Sequence, residues 1–239
     1  MLNPRAARIL LACALALAAS VPARAQAWED RAYVNLNLGF HLASRTFADT
    51  LTPVIYDERA SVTTTRVIGR GTVPLDVGAG VRIWKNLGAG GGYTQFSVTR
   101  NATLDAKVPH PILFNQSRFA SVPVELKHAE SAIHLLAVCV LPVSDRMDVA
   151  LSGGPAIMTV KTDRVTGIQI AEESPTFATV KIAKALVAAS EERVFGAVGG
   201  ADVTYFVTPM VGIGVGLRYL TGSDAGSFQL AVGGRLRLR

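Results

Sequence analysis

The sequence predicts an all-β fold, an up-and-down antiparallel transmembrane β-barrel of about eight strands. Three observations predict it. From Ala32 to Leu42 the chain alternates without a fault: Ala32, Val34, Leu36, Leu38, Phe40 and Leu42 are apolar, with Tyr33, Asn35, Asn37, Gly39 and His41 between them. A period of two places the two sets on opposite faces of a strand, and the pattern returns at Leu75–Trp84, Val211–Arg218 and Phe228–Leu238. The second observation is the kind of polar face, built from Gly, Asn, Thr and isolated Asp or Arg, without lysine. A strand on a soluble protein shows Lys, Glu and Gln to water; this pattern describes a small polar lumen wrapped in a lipid-facing surface. Thirdly, no stretch beyond the N-terminal leader is apolar enough for a transmembrane helix, which leaves a membrane protein only the closed barrel.

The elements follow in order. Arg5 and Arg8 form a positive n-region, Ile9–Ala19 an apolar h-region and Ala23-Arg24-Ala25 a small-residue cleavage site. Residues 1–25 therefore read as a secretory signal peptide and residues 26–239 as the barrel domain. Leu10-Leu11-Ala12-Cys13 is a loose lipoprotein box, but cleavage there would cut the h-region after four residues and leave Ala14–Val21 as an apolar stub. Three of the 24 basic residues (Arg5, Arg8, Arg24) lie in the leader, which holds no acid, leaving 21 against 18 acidic residues and a net charge of +3. That balance gives no support to nucleic-acid binding. Cys139 is the one cysteine after the leader, so no intrachain disulfide forms there, and its apolar setting marks it as a small hydrophobe.

Eight strands are expected: Ala32–Leu42, Leu75–Trp84, Leu87–Val98, Ser131–Leu141, Met147–Val160, Val194–Val207, Val211–Leu220 and Phe228–Leu238. Their connections alternate in length. Lys85-Asn86, Pro142–Arg146 and Thr208–Met210 are short, whereas Ala43–Pro74, Thr99–Glu130 and Lys161–Arg193 each run to about thirty residues. Short periplasmic turns and long outer loops mark outer-membrane barrels. All six lysines (Lys85, Lys107, Lys127, Lys161, Lys181, Lys184) fall in these connections. Ser61–Ile68 and Thr179–Val187 are β-prone and extend strands beyond the membrane in an alternative ten-stranded reading. Phe40, Tyr205, Tyr219 and Phe228 fall near strand ends on the outward face, as in an aromatic girdle.

By parity Asp76, Glu130, Asp148 and Asp202 point inward, as do Arg82, Arg218, Arg235 and Arg237. Counting from the periplasmic turns puts Asp76 and Arg218 high, Asp148, Arg82 and Arg237 low, and Asp202 with Arg235 between. An eight-stranded lumen is just wide enough for side chains to fill it, and a buried charge must be paired or wet. The set reads either as a salt-bridged plug, the favoured reading, or as the constriction of a pore. In the plug, Asp76 meets Arg218 and Asp148 meets Arg82 or Arg237. Four histidines (His41, His110, His128, His134) share no metal-ligand spacing, and His134 faces the lumen by parity. His41 and Ser44 near the outer rim lack a nearby carboxylate to orient the imidazole as a base. Glu172-Glu173 and Glu191-Glu192 read as a solvated loop, with divalent-cation attraction as the alternative. No catalytic, cofactor-binding or metal site is expected.

Several segments resemble a known group. Asp76–Gly88 is similar to the second hairpin of small bacterial outer-membrane β-barrel domain proteins, the OmpA/OmpX-like, porin-family type. Val108-Pro109-His110-Pro111, Gly200–Tyr205 and Gly233–Arg237 resemble that group too. The resemblance implies an outer-membrane barrel without catalytic residues, contacting outer-membrane lipids and lipopolysaccharide and using the outer-membrane assembly machinery during biogenesis. Such barrels usually end in Phe or Trp; this chain departs from that pattern with Leu238-Arg239. The expected role is structural or surface-interacting, through long extracellular loops. The alternatives are, in order, a small passive channel for small solutes or hydrophobes, a lipid-modifying enzyme and a soluble ligand-binding barrel.

Overall fold

The computed structural model describes residues 28–222 and 226–238; the expected signal peptide lies outside the described residues. Twelve strands form in chain order: β1 (Ala32–His41), β2 (Arg45–Leu51), β3 (Val54–Ile55), β4 (Glu58–Arg59), β5 (Ser61–Ile68), β6 (Leu75–Trp84), β7 (Leu87–Pro109), β8 (Ser117–Ser144), β9 (Met147–Glu172), β10 (Val180–Phe206), β11 (Val211–Thr221) and β12 (Ser227–Leu238). Eight of them close a ring. Antiparallel neighbours run β1-β6-β7-β8-β9-β10-β11-β12 and back to β1, where Ala32 opposes Leu238 and His41 opposes Gln229 across the seam. β2 and β5 add two strands to the same sheet outside the ring, and β3 and β4 form a separate small hairpin.

Parity sorts the wall as the alternation requires. Val34, Leu36, Leu38 and Phe40 of β1 are exposed on the outside, while Tyr33, Asn35, Asn37 and His41 are buried inside. β11 repeats the pattern with Ile213, Val215 and Leu217 outward. Together these positions form an apolar belt. Trp84 and Tyr205 lie near its periplasmic end, and Phe40, Tyr93 and Tyr219 near its outer end, so aromatic rings stand at both interfaces. Phe228 sits half-buried beside Tyr219, ring centroids 6.4 Å apart.

The three long connections are not loops. A tilted strand crosses the hydrocarbon in about 9–11 residues, yet β7, β8, β9 and β10 hold 23, 28, 26 and 27 residues. Thr99–Glu130 and Lys161–Arg193 are therefore mostly strand, with only residues 110–116 and 173–179 as turns. Five of the six lysines, expected in loops, lie in these strand extensions; Lys85 alone lies in a turn. The reason is the same as that which keeps them out of the belt: beyond the lipid a strand face meets water, and an ammonium group is solvated there.

Above the belt the wall changes its pairing. β6 accompanies β7 only from Leu87 to Gln95; at Thr103–Lys107 its place is taken by β5, with β2 beyond it. Gly69 makes the return possible, since its φ is +129° and a Cβ there would strike the Ala43 carbonyl. β8 and β9 pair from Ser144 and Met147 up to His128 and Thr162 and then part. One layer continues as β2-β5-β7-β8, the other as the β9–β10 hairpin. Buried Val62, Leu104, Ala106, Val108 and Val180 join Val122, Ile168, Ile170 and Ile182 in an apolar core. The connections thus fold into a two-layered head with a core of its own.

Leu36→Arg and Val215→Arg, both on the lipid face, are expected to destabilise the folded barrel by about 2–4 kcal/mol each. Thr103→Arg, exposed on the head, is expected to be near neutral. Urea unfolding of protein reconstituted in vesicles checks the contrast, and equal tolerance at the three sites would contradict the assignment of faces.

Candidate functional site

The inward side chains stack in layers from the periplasmic mouth to the head. At the mouth Trp28 and Tyr33, ring centroids 6.0 Å apart, pack with Val138, Val140 and Ala150. The alternation predicts a polar lumen; this layer is an apolar exception to it, supplied on β8 by Val138 and Val140. Gly80 makes the layer possible, because a Cβ there would collide with the Tyr33 ring. Just beside it, Arg237 Nη2 lies 2.7 Å from Asp148 Oδ2 and its Nε 3.0 Å from Asp30 Oδ2, with the guanidinium 3.3 Å over the Phe206 ring. Of the two bases expected near Asp148, Arg237 makes the contact. Arg82 instead donates to the Trp28 carbonyl at the exposed mouth.

The middle layer holds Asp202 and Arg235. Among the described residues no base comes within 4.0 Å of Asp202, and Arg235 stacks over Tyr33 at 4.7 Å. Both face two small cavities of about 10 Å³ each, shared with Asn35. That volume holds roughly one water centre.

Higher up, Asp76 is the hub. It forms an ion pair with Arg218, accepts hydrogen bonds from Thr94 Oγ1 at 2.7 Å and Asn37 Nδ2 at 3.1 Å, and lies 3.7 Å from His134 Nε2. Its carboxylate is 4 % exposed and Arg218 11 %. Gly92 lies against His134, whose ring a Cβ would displace. Inward glycines thus make room for a neighbour's long side chain. A second apolar layer of Ala132, Ala156, Met158 and Leu220 covers this hub towards the head.

At the outer rim Glu130 does not join the other lumen charges. It pairs with Arg45 of β2 at 2.6 Å and with His128 Nε2 at 2.8 Å, and His128 Nδ1 lies 2.6 Å from Thr162 Oγ1. Phe47 lies between Arg45 and Arg66, whose guanidinium carbons sit 5.6 and 5.4 Å from its ring centre. These groups line a cavity of about 240 Å³ between the barrel mouth and the head, with Met158 and Val194 on its apolar side. His41 is engaged on both ring nitrogens, by Thr72 Oγ1 at 2.5 Å and Gln229 Nε2 at 3.2 Å, which leaves neither free to serve Ser44.

A further cluster ties the hairpin tips together. Arg118 of β8 forms an ion pair with Glu172 of β9 and donates to the carbonyls of Phe177 at 3.0 Å and Pro109 at 2.7 Å. Tyr56, between β3 and β4, donates its hydroxyl to the same Glu172 carboxylate. That hydrogen bond to Glu172 holds the Tyr56 phenol above its ordinary pKa. Glu172 is thus about 10 % exposed and paired, not a solvated loop acid, whereas Glu173 and Glu191 are exposed and face Lys181 at 3.9 Å and Lys161 at 3.2 Å. Arg45, Arg66, Arg118, Tyr56 and His128 escape sequence reasoning because parity assigns inward residues only inside a strand already recognised.

The architecture is that of small bacterial outer-membrane barrels: a closed antiparallel ring, apolar outside, with short turns at one end and long hairpins at the other. No family model matches the chain, and no curated protein matches it. Among solved structures it is similar to Neisserial surface protein A, with a TM-score of 0.48 and 14% identity, over 87% of this chain and 97% of that one. Ail, the attachment invasion locus protein of Yersinia pestis, gives 0.47 and 11% over 88% and 99%. The outer membrane protein OprG from Pseudomonas aeruginosa gives 0.46 and 8% over 88% and 96%.

Arg218→Ala strands Asp76 in the lumen and is expected to destabilise the barrel by about 3–5 kcal/mol. Asp76→Ala combined with Arg218→Ala is expected to recover part of that loss, because the desolvation of both charges is relieved together. Unfolding midpoints of the three proteins in detergent check it. At the tips, Arg118→Ala removes a group that bonds three segments. It is expected to speed proteolytic nicking at residues 110–116 and 173–179 while the barrel below resists, as read by mass mapping of the fragments.

Proposed function

We propose that this chain is exported by its N-terminal leader and inserts in the outer membrane. There it serves a structural or surface-interacting role through the head built by its three long connections. The observation that carries the reading is the contrast between the two ends. The lumen is filled by Trp28, by the charge layers around Arg237 and Asp76, and by the apolar layer at Met158. Beyond the belt the chain instead builds a packed core around Leu104 and fixes its tips through Arg118 and Glu172. A pore needs a water path and gains nothing from a folded head, whereas a surface element needs a rigid scaffold under it.

Asp76, Arg82, Glu130, Asp148, Asp202, Arg218, Arg235 and Arg237 then act as structure: Asp76 pairs with Arg218 and Asp148 with Arg237, Asp202 and Arg235 fill the layer between, and Glu130 and Arg82 hold the two rims through partners outside the set. Lipid and lipopolysaccharide contact the belt and the exposed bases just above it, and the assembly machinery meets the chain during insertion. Two measurements test the reading. Protein with its leader should fractionate with outer membranes and migrate faster unheated than heated on a denaturing gel; recovery from the soluble periplasm without detergent would end the membrane reading. Reconstituted in planar bilayers, the wild type should show no steady conductance. An open channel whose ion selectivity changes in Arg218→Ala would replace the plug with the passive-channel reading.

A further inference from the structure

The far end of the β7–β8 hairpin presents an apolar apex to the surroundings. Ile112, Leu113 and Phe114 follow one another in the turn and are 60, 48 and 82 % exposed; Phe119, on the strand below, is 76 % exposed. An apolar cluster of this kind on a protein surface marks an interaction site. The turn is also firmly built. His110 Nδ1 accepts hydrogen bonds from the amides of Ile112 at 3.2 Å and Leu113 at 3.1 Å, the His110 amide donates to the Gln116 carbonyl at 2.9 Å, and the Gln116 amide to the Leu113 carbonyl at 3.3 Å. Arg118 fixes its base through the Pro109 carbonyl. The three side chains are therefore held outward by the backbone, with little conformational freedom left to lose on binding.

We infer that this apex is a membrane-docking element that enters the interface of a second, anionic lipid bilayer opposite the one the barrel spans. Shape, charge and distance favour that occupant. The apex is convex, so a protein partner must offer a prepared groove, whereas a bilayer interface closes round any apolar protrusion. Within residues 106–124, which hold no acidic residue, the exposed cation is Lys107, since Arg118 is buried against Glu172; Asp105 and Glu125 stand just outside. Lys107 Nζ lies 6.0 Å over the Phe119 ring, pairing a cation with an aromatic at the height where headgroups would meet them. Pro109 lies sixteen residues beyond Tyr93, the outermost belt residue of β7. At about 3.3 Å per residue that is roughly 50 Å along the strand, which carries the apex clear of the barrel's own hydrocarbon layer.

The inference rests on the barrel-and-head reading, and the test separates the two. Protein held in nanodiscs is mixed with vesicles of phosphatidylserine and phosphatidylcholine, or of phosphatidylcholine alone, and captured protein is measured by flotation. Capture by the anionic vesicles is expected, with weaker capture by the neutral ones. Phe114→Asp and Ile112→Asp, at exposed positions that leave heat-modifiable migration intact, are expected to reduce it by about tenfold or more, equivalent to about 1.4 kcal/mol for each factor of ten. The emission of Phe114→Trp, taken as the difference from wild type, should shift to the blue on adding anionic vesicles and be quenched by brominated lipid in those vesicles. Wild type that ignores the vesicles, or Phe114→Asp captured as well as wild type, overturns the docking inference and leaves the barrel standing. A difference emission of Phe114→Trp that is already blue-shifted before vesicles are added overturns it too, since the apex would then be buried without them. Failure to enter nanodiscs overturns both readings.

Discussion

Closure of the β1–β12 seam is the constraint from which the rest of this structure follows. In hydrocarbon no water satisfies a backbone N–H or C=O, and each orphaned group costs several kcal/mol. Ten residue pairs, from Ala32 and Leu238 to His41 and Gln229, remove the two edges that an open sheet would leave in lipid. Once the ring is closed, each strand has one face in lipid and one in a narrow lumen. The outer face must be apolar, and the inner face must be filled without stranding a charge.

The lumen meets that second demand by layering. Guanidinium and carboxylate groups lie opposite one another at two heights, around Asp148 and Asp76, and apolar residues separate those heights from the periplasm and from the head. Aromatic rings contribute where a further ion pair would be costly, as with Arg237 over Phe206 and Arg235 over Tyr33. Small residues set the fit. Without a side chain at Gly80 or Gly92, the wall has space for Tyr33 and His134.

Outside the lipid the constraint relaxes and the chain uses the freedom. Water can satisfy an open strand edge, so β8 and β9 part above His128 and Thr162, and β5 replaces β6 beside β7. What now limits the design is apolar burial. The inward stripe of the same long strands, continued upward, would face water unless another layer covered it, and the β9–β10 hairpin provides that layer with Ile168, Ile170 and Ile182. A buried ion pair at Arg118 and Glu172 then fixes which tips lie together. The same strands therefore enclose two cores: a charged one inside the membrane, apolar towards lipid, and an apolar one outside it, polar towards water.

The barrel, its eight wall strands and the sorting of apolar outward from polar inward positions were legible in the chain alone. All of these follow from a period of two and from turns whose length is local information. The structure alone decided the rest. That Arg237 and not Arg82 reaches Asp148 depends on Trp28, whose carbonyl engages Arg82 from beyond the strands. That Glu130 meets Arg45 and His128 depends on β2 folding back over the mouth. The head was illegible for the same reason: its pairings join residues as far as 116 positions apart, as Tyr56 and Glu172 show. In Lys161–Arg193 the alternation is weakened by bulges and by faces that are only half-buried, whereas residues 101–108 alternate without a break. Periodicity records which side of a strand is apolar; it does not record which distant strand will cover it.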